Sequence, residues 1–273
     1  MTSDSMSGGH RPPRPAILRA RAASPRVLRF LLYVASLLAG LLVWDLAARG
    51  VSDFILAPPS SVLAHLAGMT VSGVLPAMLG QSVGHMLLGF ALAAVVAVPL
   101  GFLMGREPRV NAMVDPLVSA FMAIPAVGFV PFLIIWFGLF FEGRVALVFL
   151  MCVFDMLVVI AAGARDVDPR LSDVGRAFGA GRWQRFRMIL LPASLPFLLT
   201  AVRIGLVRAV NGLITAELFF AAVNLGAYMK SAANRFDSAG VLSILVVLSL
   251  TGLLIQEGLR WLEHQILPWT VRR

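Results

Sequence analysis

One cysteine, one lysine and two tyrosines are all that this 273-residue chain holds of those types. Cys152 alone can form neither an internal disulfide nor a thiolate metal cluster. Charge is scarce as well. Charged residues make up 14% and hydrophobic residues 59% of the chain, where a soluble domain has about 25% and about 45–50%. That deficit excludes an ordinary soluble domain and points to an all-α integral membrane protein. Reactive constellations are missing too. There is no phosphate loop of the G-x-x-x-x-G-K-[ST] type and no HExxH, and His10, His65, His85 and His264 have no metal-site spacing. No Ser–His–Asp arrangement stands out. The sequence therefore leads us to expect no enzyme activity, metal, cofactor or nucleic-acid partner. Work against a gradient would need an ion gradient or a separate energy-supplying protein.

What the chain does have is apolar runs of roughly 20 residues, the length that crosses about 30 Å of hydrocarbon. They fall near 27–48, 82–104, 143–163, 195–220 and 239–261. A sixth, near 116–140, contains Pro116, Pro125, Gly128 and Pro131 and is expected to be kinked or partly unwound. Six transmembrane helices result. Residues 1–26 are rich in Ser, Pro, Gly and Arg and read as a disordered basic tail. The run after them is longer than the apolar core of a cleaved signal. A second short tail is expected at 269–273. Between the first and second spans, Pro58 and Pro59 break the chain, and Ser60 or Ser61 is placed to cap an outer interfacial helix.

Arginines set the direction. Arg11, Arg14, Arg19, Arg21 and Arg26 precede the first span, Arg106 and Arg109 follow the second, and Arg272 and Arg273 end the chain. Arg165, Arg170, Arg176, Arg182, Arg185 and Arg187 crowd the loop at 164–190, while the alternate loops hold only Arg49, Arg144, Lys230 and Arg235. The positive-inside rule makes both termini and the 164–190 loop cytoplasmic.

Small residues recur every fourth position in the second span: Gly89, Ala93, Ala97, Gly101 and Gly105. Ala201, Gly205 and Ala209 form a shorter ridge in the fifth. Such ridges let backbones approach closely, and packing within one chain's bundle is the favoured reading over a dimer seam. Polar residues inside spans are costlier, a few kcal/mol each near the bilayer centre unless paired or hydrated. Arg208, Asn211 and Thr215 share one face of the fifth helix, and Asp155 lies midway along the fourth. Arg208 and Asp155 either neutralise each other or line a hydrated path in which Arg208 attracts an anion. Glu217 is placed near the outer mouth and is the last candidate lining residue. These five are the candidate translocation path.

The arginine-rich loop, "DVGRAFGAGRWQRFRMILLP", reads as two short amphipathic helices about a glycine hinge. Leu171, Val174 and Phe178 share a face before it, and Trp183, Phe186 and Ile189 share one after it. On these grounds alone the loop serves either lipid phosphates or a cytoplasmic protein.

The loop also resembles the signature of binding-protein-dependent ABC importer permeases: EAA, three residues, Gly, nine residues, then I-x-L-P. Asp173-Val174-Gly175 stands where EAA would, Gly179 holds the glycine, and Ile189-Leu190-Leu191-Pro192 closes the pattern at full spacing. Val174 and Gly175 replace the two alanines. "FILAPPSSVLAHL", "GFALAAVVAVPLGFLMG", "DPLVSAFMAIPAVGFVPFLIIWFG" and "VRIGLVRAVNGLITAELF" are similar to the nitrate/sulfonate/taurine branch of that family. The resemblance implies a type I importer permease over 27–268 in a bacterial inner membrane, with a cytoplasmic coupling helix within 166–190, between the fourth and fifth spans. It implies docking of an ABC ATPase subunit on Asp173, Val174, Gly175, Arg176, Phe178, Gly179, Ala180 and Arg182. It further implies a periplasmic solute-binding protein and a second permease chain, most simply a copy of this one. The implied cargo is an organic sulfonate, taurine or a nitrate-type anion. A neutral pyrimidine-type vitamin precursor or an aromatic acid is the alternative within the family. An ion-coupled secondary carrier is the alternative outside it, although the residues offer no intramembrane carboxylate cluster and no convincing repeat.

Overall fold

The computed structural model describes residues 25–266, which form helices and turns with no strand among them. All but the last two residues of the tail expected at 1–26, and the whole tail expected at 269–273, lie outside them. Two compact units separate at residues 47 and 48. The first contributes most of α1 (Pro25–Arg49), an apolar helix.

The second unit is a helical bundle. Helix α2 (Pro59–Val71) starts with a proline in its first turn, where a missing N–H costs nothing. Pro58 is its N-cap, and neither Ser60 nor Ser61 takes that position. Helix α3 (Val74–Arg106) runs for 33 residues, starting earlier than the apolar run suggests. The proline-rich stretch becomes α4 (Pro108–Ala123), a short 3₁₀ turn (Ala126–Phe129) and α5 (Val130–Phe137). The two limbs are bent by 93°. Ile124 is forced to an extended backbone by the following Pro125, which ends α4 there. Among the described residues five continuous helices are long and apolar enough to cross a bilayer, and the bent pair brings the number to six where it is counted as one span.

Helix α6 (Phe141–Asp166) is the centre of the unit, and α3 and α10 (Leu195–Phe219) pack along it. The small-residue ridges make those contacts. Ala93, Ala97, Ala201 and Ala209 are fully buried. A methyl built on Gly89 would sit 2.7 Å from Val148 Cβ, one on Gly101 2.8 Å from Ile160 Cβ, and one on Gly105 2.5 Å from Ala164 Cβ. Lipid gives helices no hydrophobic reason to associate, so close backbone approach and its dispersion contacts hold this seam. The ridges therefore serve packing inside the chain. Leu92, Val95, Leu103 and Leu254 point outward, as a lipid-facing surface requires.

At the end away from the arginine-rich loop lie α2 and α11 (Asn224–Asn234), the latter leading into α12 (Ser238–Ile266). His65 Nε2 and Tyr228 Oη share a 2.6 Å hydrogen bond that ties α2 to α11. Burial, with Asp237 adding to it, pushes the Tyr228 phenol above its ordinary range and keeps it protonated.

Candidate functional site

The sequence candidates separate into three places. In the first, Arg208 of α10 meets Asp155 of α6. Nε lies 2.8 Å from Oδ2, and Nη2 donates to Oδ1 at 3.3 Å. The side chains are 46% and 22% exposed, so the pair is neither sealed nor fully solvated. It borders a cavity of about 190 Å³. The break between α4 and the 3₁₀ turn supplies the facing wall, with Phe121, Ile124 and Pro125, and Phe154 of α6 stacks on Phe121 at 5.0 Å. Two opposite charges thus sit beside the break between α4 and α5, among otherwise apolar side chains.

From Arg208 an open stripe climbs α10 through Asn211 and Thr215, whose hydroxyl donates back to the Asn211 carbonyl at 2.8 Å. It reaches a larger cavity of about 570 Å³ lined by Leu218, Phe219, Lys230 and Leu245. Arg208, Asn211 and Thr215 thus lie along one face of α10 with Asp155 of α6 beside Arg208, and of these four only Arg208 and Asp155 line a cavity.

Glu217 does not. Its carboxylate is 1% exposed and pairs with Arg144 at 2.8 Å, whose side chain is also 1% exposed. Ser82 donates to Oε1 at 2.6 Å, and the Gly226 amide donates to Oε2 at 2.6 Å. Arg144 Nη2 also donates to the Phe220 and Val223 carbonyls, at 2.8 and 2.9 Å. A carboxylate with its oxygens so engaged faces no path. The expectation for Glu217 is corrected: it braces α3, α6, α10 and the start of α11. The sequence counts Arg144 among the loop arginines, whereas it lies in the first turn of α6. Its partner Glu217 is 73 residues away, a separation at which spacing carries no signal.

The third place is the arginine-rich loop. Helix α7 (Pro169–Ala177) is N-capped by Asp168, which accepts from the Arg170 amide at 2.9 Å. It stops at Gly179, whose φ of +77° is the left-handed conformation that glycine adopts without strain. After the turn come the short α8 (Arg182–Arg185), a π-helical turn (Phe186–Leu190) and α9 (Leu191–Ala193). Pro192 has no N–H to return to the Met188 carbonyl, and the turn before it is widened, with the Leu191 amide donating to Phe186. The two limbs fold on each other: a methyl on Gly175 would lie 2.7 Å from Ile189 Cδ1. Gly175, in place of the signature's second alanine, is thus a packing residue. Val174, Phe178, Trp183 and Met188 are exposed, Phe178 by 87%. Asp173 and Arg176 hold only a loose 3.9 Å pair on the surface. A cavity between this loop and the end of α3 is lined by Arg106, Arg176, Arg182 and Arg185. Among the described residues, no three His, Cys, Asp or Glu side chains converge to hold a metal.

A family model described as the binding-protein-dependent transport system inner membrane component matches residues 97–267. The chain is 29% identical over 234 residues to the taurine transport system permease protein TauC of Escherichia coli (strain K12), covering 83% of this chain and 84% of that protein. It is 28% identical over 230 residues to the formylaminopyrimidine transport permease protein ThiX of Halalkalibacterium halodurans, covering 84% and 92%. Among solved structures, a chain of the MetNI methionine ABC transporter in its inward-facing conformations superposes with a TM-score of 0.58 at 18% identity, covering 72% of this chain and 98% of that one. That likeness is one of fold.

Proposed function

This chain belongs to the binding-protein-dependent transport system inner membrane components, the permease subunits of ABC importers, and we propose that it carries a small organic sulfonate such as taurine, or a nitrate-type anion. The observation that carries the cargo reading is the half-exposed Arg208 guanidinium beside a small chamber at the broken span. A chamber below the roughly 300–1,000 Å³ of drug-sized pockets suits a compact solute. The relation to a taurine permease supports the same reading. Family membership sets aside the ion-coupled carrier.

In this reading the arginine-rich loop and both termini face the cytoplasm, and the chain lies in a bacterial inner membrane. The path runs from the larger cavity, down the α10 stripe, to Arg208. A periplasmic binding protein delivers solute at the α2 and α11 end, and a second copy of the chain closes the open face. An ATPase subunit grips Asp173–Arg182 through the exposed Val174 and Phe178, and hydrolysis takes place on that subunit. The rigid α3–α6–α10 seam lets packed helices rock together when the ATPase closes.

A neutral pyrimidine precursor is the second reading. Asp155 compensates Arg208, so the chamber has no net charge, and a formylaminopyrimidine permease is about as similar. Stimulation of ATP hydrolysis in the reconstituted complex, with the cognate binding protein loaded in turn with taurine, alkanesulfonates, nitrate, pyrimidines and aromatic acids, separates the two. Stimulation by sulfonates or nitrate is expected; stimulation by a neutral pyrimidine alone overturns the anion assignment.

A further inference from the structure

Arg144–Glu217 and Arg208–Asp155 are ion pairs that each join two spans, and they are built differently. Arg144–Glu217 is sealed, and Ser82, the Gly226 amide and two carbonyls engage the groups around it. Arg208 and Asp155 have only each other among the described residues. Their contact is side-on, through Nε and Nη2 of an arginine that lines the open chamber and is 46% exposed. The first pair is a brace. The second is held by nothing that a solute would have to break except the pair itself.

We infer that Asp155 and Arg208 exchange their mutual contact for the two ends of a small zwitterion, so that the cargo carries an ammonium as well as an anionic group. The inference rests on the permease reading and narrows its cargo. The reason is charge balance in an apolar chamber. A lone anion on Arg208 would leave the Asp155 carboxylate beside it with no cation, and Phe121, Phe154, Ile124 and Pro125 supply none. A lone cation on Asp155 strands Arg208 in the same way. A solute with both charges keeps the sum at zero and gives each ion a new partner. Because the pair closes to 2.8 Å, the two charges of the solute must lie only a few bonds apart. Asp155 thereby becomes the specificity-determining residue that separates taurine-like cargo from plain sulfonates and nitrate.

The test reads the chamber directly and bypasses the selectivity of the binding protein. Met122 lines the chamber and is half-exposed, whereas the native thiol of Cys152 is fully buried. Met122→Cys is introduced into the ATPase-bound complex in vesicles, and its alkylation by a polar maleimide is timed with taurine, β-alanine, ethanesulfonate or ethylammonium at equal concentration. Taurine and β-alanine are expected to slow alkylation by roughly fivefold or more relative to the two singly charged probes. Asp155→Asn is expected to bring ethanesulfonate up to the level of taurine. Ethanesulfonate protecting the unsubstituted pair as well as taurine does would overturn the inference, as would protection by none of the four. The comparison of solutes needs no change at Asp155, so a misfolded variant does not blunt it. Stimulation of ATP hydrolysis by loaded binding protein in the same vesicles reports the permease reading separately. Its survival alongside failed protection removes only the zwitterion assignment, and its loss with every loaded solute removes the cargo reading on which that assignment rests.

Discussion

Phe186 presents its ring edge-on to Phe102, with centroids 5.3 Å apart and planes at 80°. Trp183 in turn stacks on Phe186, with centroids 5.5 Å apart and planes at 21°. One aromatic column therefore joins the exposed arginine-rich loop to the buried end of α3. Aromatic pairs add about 0.5–1.5 kcal/mol beyond the area they bury, enough for a mechanical link and too little to decide folding. Phe186→Ala is expected to leave ATPase co-purification intact while lowering solute uptake per ATP hydrolysed, and Phe186→Leu should restore part of the loss. Equal uptake per ATP in Phe186→Ala would mean that the column transmits nothing.

Docking itself is expected to depend on the turn before the column. Phe178 is 87% exposed and makes no core contact to lose. Phe178→Asp should therefore retain the melting temperature of the permease and lose the ATPase subunit on purification. Gly179→Ala forces an L-residue into the left-handed region, at a cost of about 1–2 kcal/mol. It should weaken docking less than Phe178→Asp and shift the loop's protection from protease.

The brace at the opposite end should behave as a buried ion pair. Removing one partner leaves an uncompensated charge and costs about 3–5 kcal/mol. Glu217→Met and Arg144→Met are each expected to lower the thermal midpoint of the detergent-solubilised chain sharply. Arg144→Met with Glu217→Met should lower it less than the sum of the two. Additive losses in that cycle would show that the two side chains do not act as a pair.

The α3 ridge gives a contrast within one helix. Gly101→Ala drives a methyl to 2.8 Å from Ile160 and should destabilise by about 1–3 kcal/mol through overpacking. Gly84 has nothing within 4 Å of a built methyl. Gly84→Ala should be neutral or gain up to about 1 kcal/mol from helix propensity. The two midpoints, measured side by side, check the assignment of the seam.

Hydropathy and proline placement made the spans legible, because length and apolarity alone decide what crosses a bilayer. The four-residue spacing of small residues made the α3–α6 seam legible for a similar reason: Gly89, Gly101 and Gly105 leave a groove that only another helix fills. The sharpness of the bend after Ile124 was not legible, since Pro125 marks a break without fixing its angle. Neither was the brace. Glu217 and Arg144 are 73 residues apart, and one-dimensional spacing carries no information on a contact between helices. For the same reason Arg208 and Asp155 remained two alternatives in the sequence, whereas the structure puts them in contact and leaves them open.

The most direct test of the account is solute uptake into vesicles holding this chain with its ATPase and binding protein, with ATP and ion gradients varied independently. The account predicts uptake that requires ATP and loaded binding protein, survives collapse of the proton and sodium gradients, and is lost in Phe178→Asp. Uptake that persists without ATP and stops when a gradient is removed would contradict it.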